Sequence, residues 1–309
     1  MTECLPFSPA AIEQAAALIA LGQPVAIPTE TVYGLAADAG SGDAVAAIYV
    51  AKGRPAFNPL IVHVADLAAA EGIARLSAAA LRLAEAFWPG PLTIVAPLVE
   101  GAGVAAIATA GLPTVALRVP AHAAMRALLA VCGRPLAAPS ANSSGTISPT
   151  RAEHVLRSLG GRIPLVIDDG PCPVGLESTI VAIGEDRLRL LRPGPITADR
   201  LREVSGMEVA GTIGGRVEAP GQLLQHYAPS KPLRLNAVEK AADEWLIGFG
   251  PVEGDVSLSH AGDMAEAAAR LFDLLHAADS GPAPLIAIAP VPEQGLGRAI
   301  NDRLRRASA

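Results

Sequence analysis

The sequence predicts an α/β protein in two parts, a larger N-terminal region and a small C-terminal α/β layer domain. Three observations carry this. Short apolar runs of strand length alternate with helix-length stretches along the chain. The 309 residues exceed one average domain. The alternation lapses once, over residues 211–231 (GTIGGRVEAPGQLLQHYAPSK), which reads as a linker.

The elements follow in order. A first helix is expected over about Ala10–Leu21, with Ser8 as N-cap, Pro9 in the first turn and Gly22 as its stop. Val25–Ile27 reads as a short strand, and Gly42–Ala51 as a helix capped by Ser41. Leu60–Val64 (LIVHV) is a strand. Ala78–Phe87 is a helix capped by Ser77 and ended by Trp88-Pro89-Gly90-Pro91. Leu92–Leu98 and Val115–Val119 are strands, and His122–Cys132 is a helix stopped by Gly133. Thr150-Arg151-Ala152-Glu153 has the form of a capping box opening another helix. Leu165–Asp168, Thr179–Ile183 and Leu188–Leu191 are strands. Beyond the linker, strands are expected at Leu233–Leu235, Leu246–Phe249, Val256–Leu258 and Leu285–Ala289. Helices are expected there at Ala265–His276 and Arg298–Arg305.

Composition narrows the function. Apolar residues make up 51% and charged residues 17%, which suits a packed core rather than a disordered chain. The net charge is -6 and aromatics are only 3%, against both charge-driven nucleic-acid binding and base stacking. Cys4, Cys132 and Cys172 form no CxxC pair, so neither a disulfide framework nor a cysteine zinc site is expected. The N-terminus lacks the basic and apolar regions of a signal peptide, and the apolar stretch Gly101–Leu117 is broken by Gly111 and Pro113. A cytoplasmic protein without a membrane span is expected. No Gly-Lys pair exists for a Walker A loop, and HExxH and G-x-S-x-G are absent. Gly295-Leu-Gly297 lacks the third glycine of a dinucleotide fingerprint.

Seven segments stand out instead: Pro28–Leu35 (PTETVYGL), Lys52-Gly53-Arg54-Pro55 running on to Asn58-Pro59, Trp88–Thr93 (WPGPLT), Leu117-Arg118-Val119-Pro120, Ala138–Gly145 (APSANSSG), Leu176–Ile180 (LESTI) and Arg192-Pro193-Gly194. Nearly all set Arg, Lys, Ser, Thr or Asn on a rigid Pro/Gly loop beside an apolar strand. Arginine forks and hydroxyls suit phosphate and carboxylate oxygens. Several cations and hydroxyls without an obvious nucleophile suit phosphoryl or nucleotidyl transfer, where positioning and charge stabilisation do most of the catalysis. Lys52 is the only lysine among the first 229 residues, which otherwise use 15 arginines. A compact point charge fits that exception. Taken singly, each segment has a plainer reading. Arg54 and Arg118 read as solvated strand ends, Ser140–Gly145 as an ordinary turn, and His63 as a core histidine.

Together and in this order, the segments resemble the YrdC-like family, and the two-part layout resembles its longer members, the threonylcarbamoyl-AMP synthases. The motifs run from about residue 24 to residue 195, and APGQLLQHYAP and GLGRAINDRL extend the likeness almost to the C-terminus. The resemblance implies a YrdC-like twisted α/β sheet domain with a large cleft over 1–210, a linker acting as lid over 211–231, and a small Rossmann-like domain over 232–309. It implies that L-threonine, bicarbonate or CO2, and ATP give threonylcarbamoyl-AMP and pyrophosphate. The product would pass to a transferase that modifies tRNA beside the anticodon, with tRNA contact weak or indirect. The recurrent tetrad falls on Lys52, Arg54, Ser140 and Asn142. Threonine is implied at Thr31, His63, Arg118, the Ala138 backbone and Ser178. ATP is implied at Lys52, Arg54, Asn58, Thr114, Ser140, Asn142, Ser148, Arg192 and Tyr227, with Ser140, Asn142 and Ser148 donating to phosphate oxygens. Mg2+ is expected on the triphosphate, with no protein ligand assigned. Gly214, Gly215 and Gly221 are candidate hinges for the lid, which carries His226-Tyr227. Relatives often place a Lys-Tyr-basic run before that pair, where this chain has Leu223-Leu224-Gln225. The competing readings are an RNA-binding module, a carbamoyl or adenylyl transferase with another acceptor, and a structural subunit of a tRNA-modifying assembly.

Overall fold

A computed structural model describes residues 1–55, 57–211, 218–220 and 226–309. Gly214, Gly215, Gly221 and Leu223-Leu224-Gln225 therefore lie outside the described residues. The chain opens with β1 (Glu3–Pro6), α1 (Pro9–Ala20), β2 (Val25–Ile27), β3 (Gly34–Asp38), α2 (Gly42–Lys52) and β4 (Ile61–His63). Next come α3 (Leu67–Glu71), α4 (Ala78–Phe87), β5 (Leu92–Pro97), β6 (Thr114–Arg118), α5 (Ala123–Cys132) and β7 (Leu136–Ala137). α6 (Ala152–Leu159), β8 (Leu165–Asp168), β9 (Thr179–Ile183), β10 (Arg187–Arg192), α7 (Ala198–Ser205) and β11 (Glu208–Gly211) follow. The remainder holds β12 (Leu233–Arg234), β13 (Glu244–Gly248), β14 (Val256–Ser257), α8 (Met264–Ser280), β15 (Leu285–Ile288) and α9 (Gly297–Ala307).

Local chemistry sets the helix ends. Ser8, Ser41 and Ser77 each accept from the backbone N–H three residues on, satisfying an otherwise orphaned donor. Gly53 and Gly133 end α2 and α5 in the left-handed conformation, at φ 60° in both. The expected capping box at Thr150 does not form. α6 begins at Ala152 without a side-chain cap bond. The Thr150 N–H goes to His154 Nδ1 at 3.3 Å, and Arg151 is drawn away to Asp273 of α8 at 2.7 Å.

Eleven strands form one mixed sheet in the order β1-β8-β2-β3-β7-β4-β6-β5-β9-β10-β11. Strands β2 and β4 are buried at every position, and β2 is apolar throughout while β4 ends in His63. β4 and β6 lie side by side and parallel, with His63 opposite Arg118 in the register. Both residues thus stand at the carboxyl ends of adjacent parallel strands, the usual ligand position in an α/β sheet. The second sheet, β12-β15-β13-β14, is parallel throughout and packs with α8 and α9, which makes it Rossmann-like. One apolar cluster joins the two parts, bringing Val32, Ile147, Leu176 and Tyr227 against Phe272, Leu271 and Ile300.

Candidate active site

The loops after β2, α2, β7 and β8 converge on the carboxyl ends of β4 and β6. They enclose a cavity of about 40 Å3. Its wall includes Thr31, Arg54, His63, Arg118, Ala138, Ser140, Arg192 and Tyr227 from the expected set, together with Thr29, Val32, Glu177 and His226.

Arg118 organises one end. It donates from Nε to Gly90 O at 3.2 Å, from Nη1 to Thr31 Oγ1 at 3.0 Å and from Nη2 to Glu30 Oε1 at 2.6 Å. A guanidinium has five N–H groups, so two remain for an anion. Burial works against the Glu30 charge, but the Arg118 charge and its hydrogen bond outweigh this and hold the carboxyl below its usual range. His63 is 2% exposed, and neither ring nitrogen has a partner among the described residues. Burial, then the nearby Arg118 charge, pushes its pKa down to about 3, so the ring is neutral near pH 7. A buried neutral imidazole with two unmet nitrogens is prepared for a ligand that both donates and accepts. Ser178 shares a 2.7 Å hydrogen bond with Thr93 and accepts from Arg192 Nη2 at 3.1 Å, behind the wall rather than on it.

The other end is cationic. Arg54 donates to Asn58 O at 3.3 Å and Pro59 O at 3.0 Å, and burial lowers its pKa to about 10. Asn58 is fully buried, with neither side-chain nitrogen nor oxygen paired among the described residues. Lys52 does not face the cavity. Its Nζ is held by Ser140 O and Asn142 O, each at 2.5 Å, so it braces the loop that carries Ser140. Burial, followed by repulsion from Arg54, lowers its pKa well below the ordinary lysine value.

Two expected phosphate donors already spend their protons on protein acceptors. Asn142 Nδ2 is committed to the carbonyls of Ser143 and Thr146, at 3.0 and 2.9 Å, which leaves its Oδ1 unpaired. Ser148 Oγ lies 2.5 Å from Glu177 Oε1. Glu177 is held ionised: burial opposes its charge, but Arg303 and Arg192 outweigh that. The one hydroxyl proton of Ser148 therefore goes to Glu177, and only lone pairs remain. Neither side chain can donate to a phosphate oxygen in this arrangement. Thr114, at the start of β6, is half-buried and off the cavity wall.

Tyr227 is 1% exposed, adopts φ 65°, and its hydroxyl has no partner among the described residues. A non-glycine residue in the left-handed region costs on the order of 1–3 kcal/mol, so its surroundings must hold it there. His226 donates its backbone N–H to Arg306 O at 3.2 Å, and Ala228 donates to Gly145 O at 2.9 Å.

Sequence reasoning missed Glu30 and Arg303 and left Glu177 without a role. Glu30 had a signal in its place between two threonines of a strand-end motif. Arg303 had one too: Ile300, Leu304 and Ala307 define the buried face of α9, and Arg303 falls on it.

Residues 17–194 match the Sua5/YciO/YrdC family model, described as "Telomere recombination", which defines the class. Residues 196–309 match the model described as "Threonylcarbamoyl-AMP synthase, C-terminal domain". A Bacillus subtilis threonylcarbamoyl-AMP synthase is 40% identical, covering 96% of this chain and 92% of its own length. One from Pyrococcus abyssi is also 40% identical, with 96% and 94% covered. The crystal structure of P. abyssi Sua5 complexed with L-threonine superposes with a TM-score of 0.91 at 37% identity, covering 100% of this chain and 97% of that one. E. coli YciO, 20% identical with a TM-score of 0.55, shares the fold of the first part. The chain belongs to the threonylcarbamoyl-AMP synthase family.

Proposed function

We propose that this protein is an enzyme that converts L-threonine, bicarbonate or CO2, and ATP into threonylcarbamoyl-AMP and pyrophosphate, for the threonylcarbamoyl modification of tRNA. The observation that carries this best is that Arg118 and His63, at the carboxyl ends of β4 and β6, line one small cavity together with Arg54 and Arg192. The two free N–H groups of Arg118 suit the threonine carboxylate. Neutral His63 suits a neighbouring N–H or O–H of the amino acid. Thr31, the Ala138 backbone and Ser178 complete that end.

The threonine amine gains CO2 and loses a proton to become a carbamate. A carbamate oxygen then attacks the α-phosphorus, and the bond to pyrophosphate breaks. Arg54 and Arg192 offset the charge spread over the phosphoryl oxygens. Lys52 fixes the Ser140–Asn142 loop beside them. Asn58, Thr114, Ser148 and Tyr227 are assigned to the rest of ATP, with Ser148 and Asn142 accepting from ribose or base donors.

Magnesium arrives with the triphosphate. Among the described residues no group of three or more His, Cys, Asp or Glu could hold a metal ion. An ion held mainly by phosphate and water oxygens fits a site of this kind, with no protein ligand assigned.

The cavity is well below the roughly 300–1,000 Å3 of ordinary ligand pockets. Admitting ATP therefore requires Pro220, His226 and Tyr227 to withdraw, and their return shields the carbamate and its mixed anhydride from water. This supports a division into a catalytic part (1–210), a covering segment (211–231) and a C-terminal part (232–309). No helix among the described residues is long and apolar enough to cross a membrane, and we place the enzyme in the cytoplasm, handing its product to a tRNA-modifying transferase.

Product analysis tests the proposal. Incubation with ATP, threonine and 13C-bicarbonate should yield a species with the mass of threonylcarbamoyl-AMP that carries the label. An unlabelled threonyl-AMP, formed directly from the carboxylate, would overturn it.

A further inference from the structure

α9 sends one side chain out of the C-terminal part and into the first. Arg303 is completely buried. Its Nε donates to Glu177 Oε2 at 2.8 Å, across 126 residues of chain. Its Nη1 donates to Pro193 O at 2.9 Å and to Asp302 Oδ2 at 2.8 Å. Its guanidinium carbon stands 5.2 Å from the centre of the Tyr227 ring, within cation–π range. Its Nη2 is buried with no partner among the described residues.

Two of these partners, Glu177 and Tyr227, line the cavity, and Pro193 follows directly on Arg192, which also lines it. Glu177 lies on the cavity wall, and its second oxygen holds the Ser148 hydroxyl. Pro193 precedes Gly194, where an added Cβ would come within 2.4 Å of Thr179 N and 2.8 Å of Glu177 O. The Glu177–Thr179 backbone therefore runs directly against Gly194. Tyr227 is the strained wall residue. A buried arginine is costly unless paired, and here Glu177, Pro193 and Asp302 supply the pairing.

We propose that Arg303 is a positioning residue of the nucleotide end of the site. It acts through Glu177, which fixes Ser148 as a hydrogen-bond acceptor, and through Tyr227, which it holds in place by its charge. The C-terminal part thereby completes the ATP site without touching the reacting atoms. This rests on the functional reading above for the identity of the nucleotide.

Arg303→Lys keeps the charge but loses the fork, and Glu177→Gln keeps the shape but loses the charge. ATP affinity should fall about tenfold in each, the usual scale for a hydrogen bond to a charged group. The KM for threonine should hold, because Arg118, His63 and Thr31 are untouched. The double variant should be no weaker than the weaker single, since both substitutions cut one relay. Equilibrium titration with ATP reads the affinity, steady-state pyrophosphate release reads each KM, and melting curves confirm that the variants are folded. Unchanged ATP affinity in a folded variant, or losses that multiply in the double, would overturn the inference. A uniform fall in turnover with both KM values intact would reduce Arg303 to a structural residue, which also overturns it. If the unsubstituted protein binds ATP with these variant effects but makes no threonylcarbamoyl-AMP, the inference stands and the functional reading fails. If it binds no ATP, both fail.

Discussion

Arg118 shows how one side chain is shaped for a task by three neighbours. Gly90 O, Thr31 Oγ1 and Glu30 take three of its donors and fix the plane of the fork. Lysine at this position would carry the charge without that geometry. Arg118→Lys should therefore raise the KM for threonine by one to two orders of magnitude and leave the KM for ATP within about twofold, both read from pyrophosphate release. Equal changes in both would contradict a dedicated carboxylate clamp. The motifs grouped Arg118, Thr31, Arg54 and Arg192, most of them beside Pro, Gly or hydroxyl residues, and His63 in an apolar strand, and the structure brings all five to one cavity. They did not reveal what each side chain already holds. Glu30 and Arg118 are 88 residues apart and Ser148 and Glu177 are 29 apart, so no local spacing announces either pair. The polarity of Ser148 and Asn142 follows only from those partners. Lys52 stood out as an exceptional lysine, yet its role as a brace depends on carbonyls 88 and 90 residues away.

Helices and strands were legible where capping and periodicity agreed, as at Ser8, Ser41 and Ser77. β3 and β7 were not, because their residues (GLAAD and LA) are small and lie inside or beside motifs that read as loops. β1, α3, α7 and β11 were likewise unforeseen, being short or at the sheet margin. The contact between α8 and the first part depends on Gly175, at φ 72°. A Cβ there would lie 2.5 Å from Ala269 Cα and Ala269 O. Gly175→Ala should cost about 2–4 kcal/mol through backbone strain and overpacking together. Thermal unfolding should show a fall of several degrees in Tm, and an unchanged Tm would mean that α8 is not seated there. Nearby, the His154 and His276 rings stack 3.8 Å apart between α6 and α8.

At the scale of the whole molecule, buried neutral imidazoles govern the response to acid. Burial lowers the pKa of His63, His154 and His226 to about 3 and of His276 to about 4. Unfolded, these rings take up protons near pH 6.5. The unfolded state therefore binds more protons than the native state below that pH. Stability is full above about pH 6.5 and declines as pH falls towards 4. Glu30 and Glu177, whose native pKa values lie below the unfolded value, add their loss only below about pH 4.5. Denaturant unfolding between pH 7.5 and 4.5 should show this decline, and His276→Phe should flatten part of it. A stability that rises on acidification would contradict the buried neutral state.

The net charge of -6 and the few aromatics fit an enzyme whose ligands are small. Threonine, CO2 and the α-phosphate of ATP are proposed to meet in one cavity. The most direct measurement is pyrophosphate release from ATP and Mg2+, with threonine and bicarbonate omitted in turn. Release should require both, and Arg54→Ala should abolish most of it in folded protein. Release indifferent to threonine, or none at all from folded protein, would contradict the account.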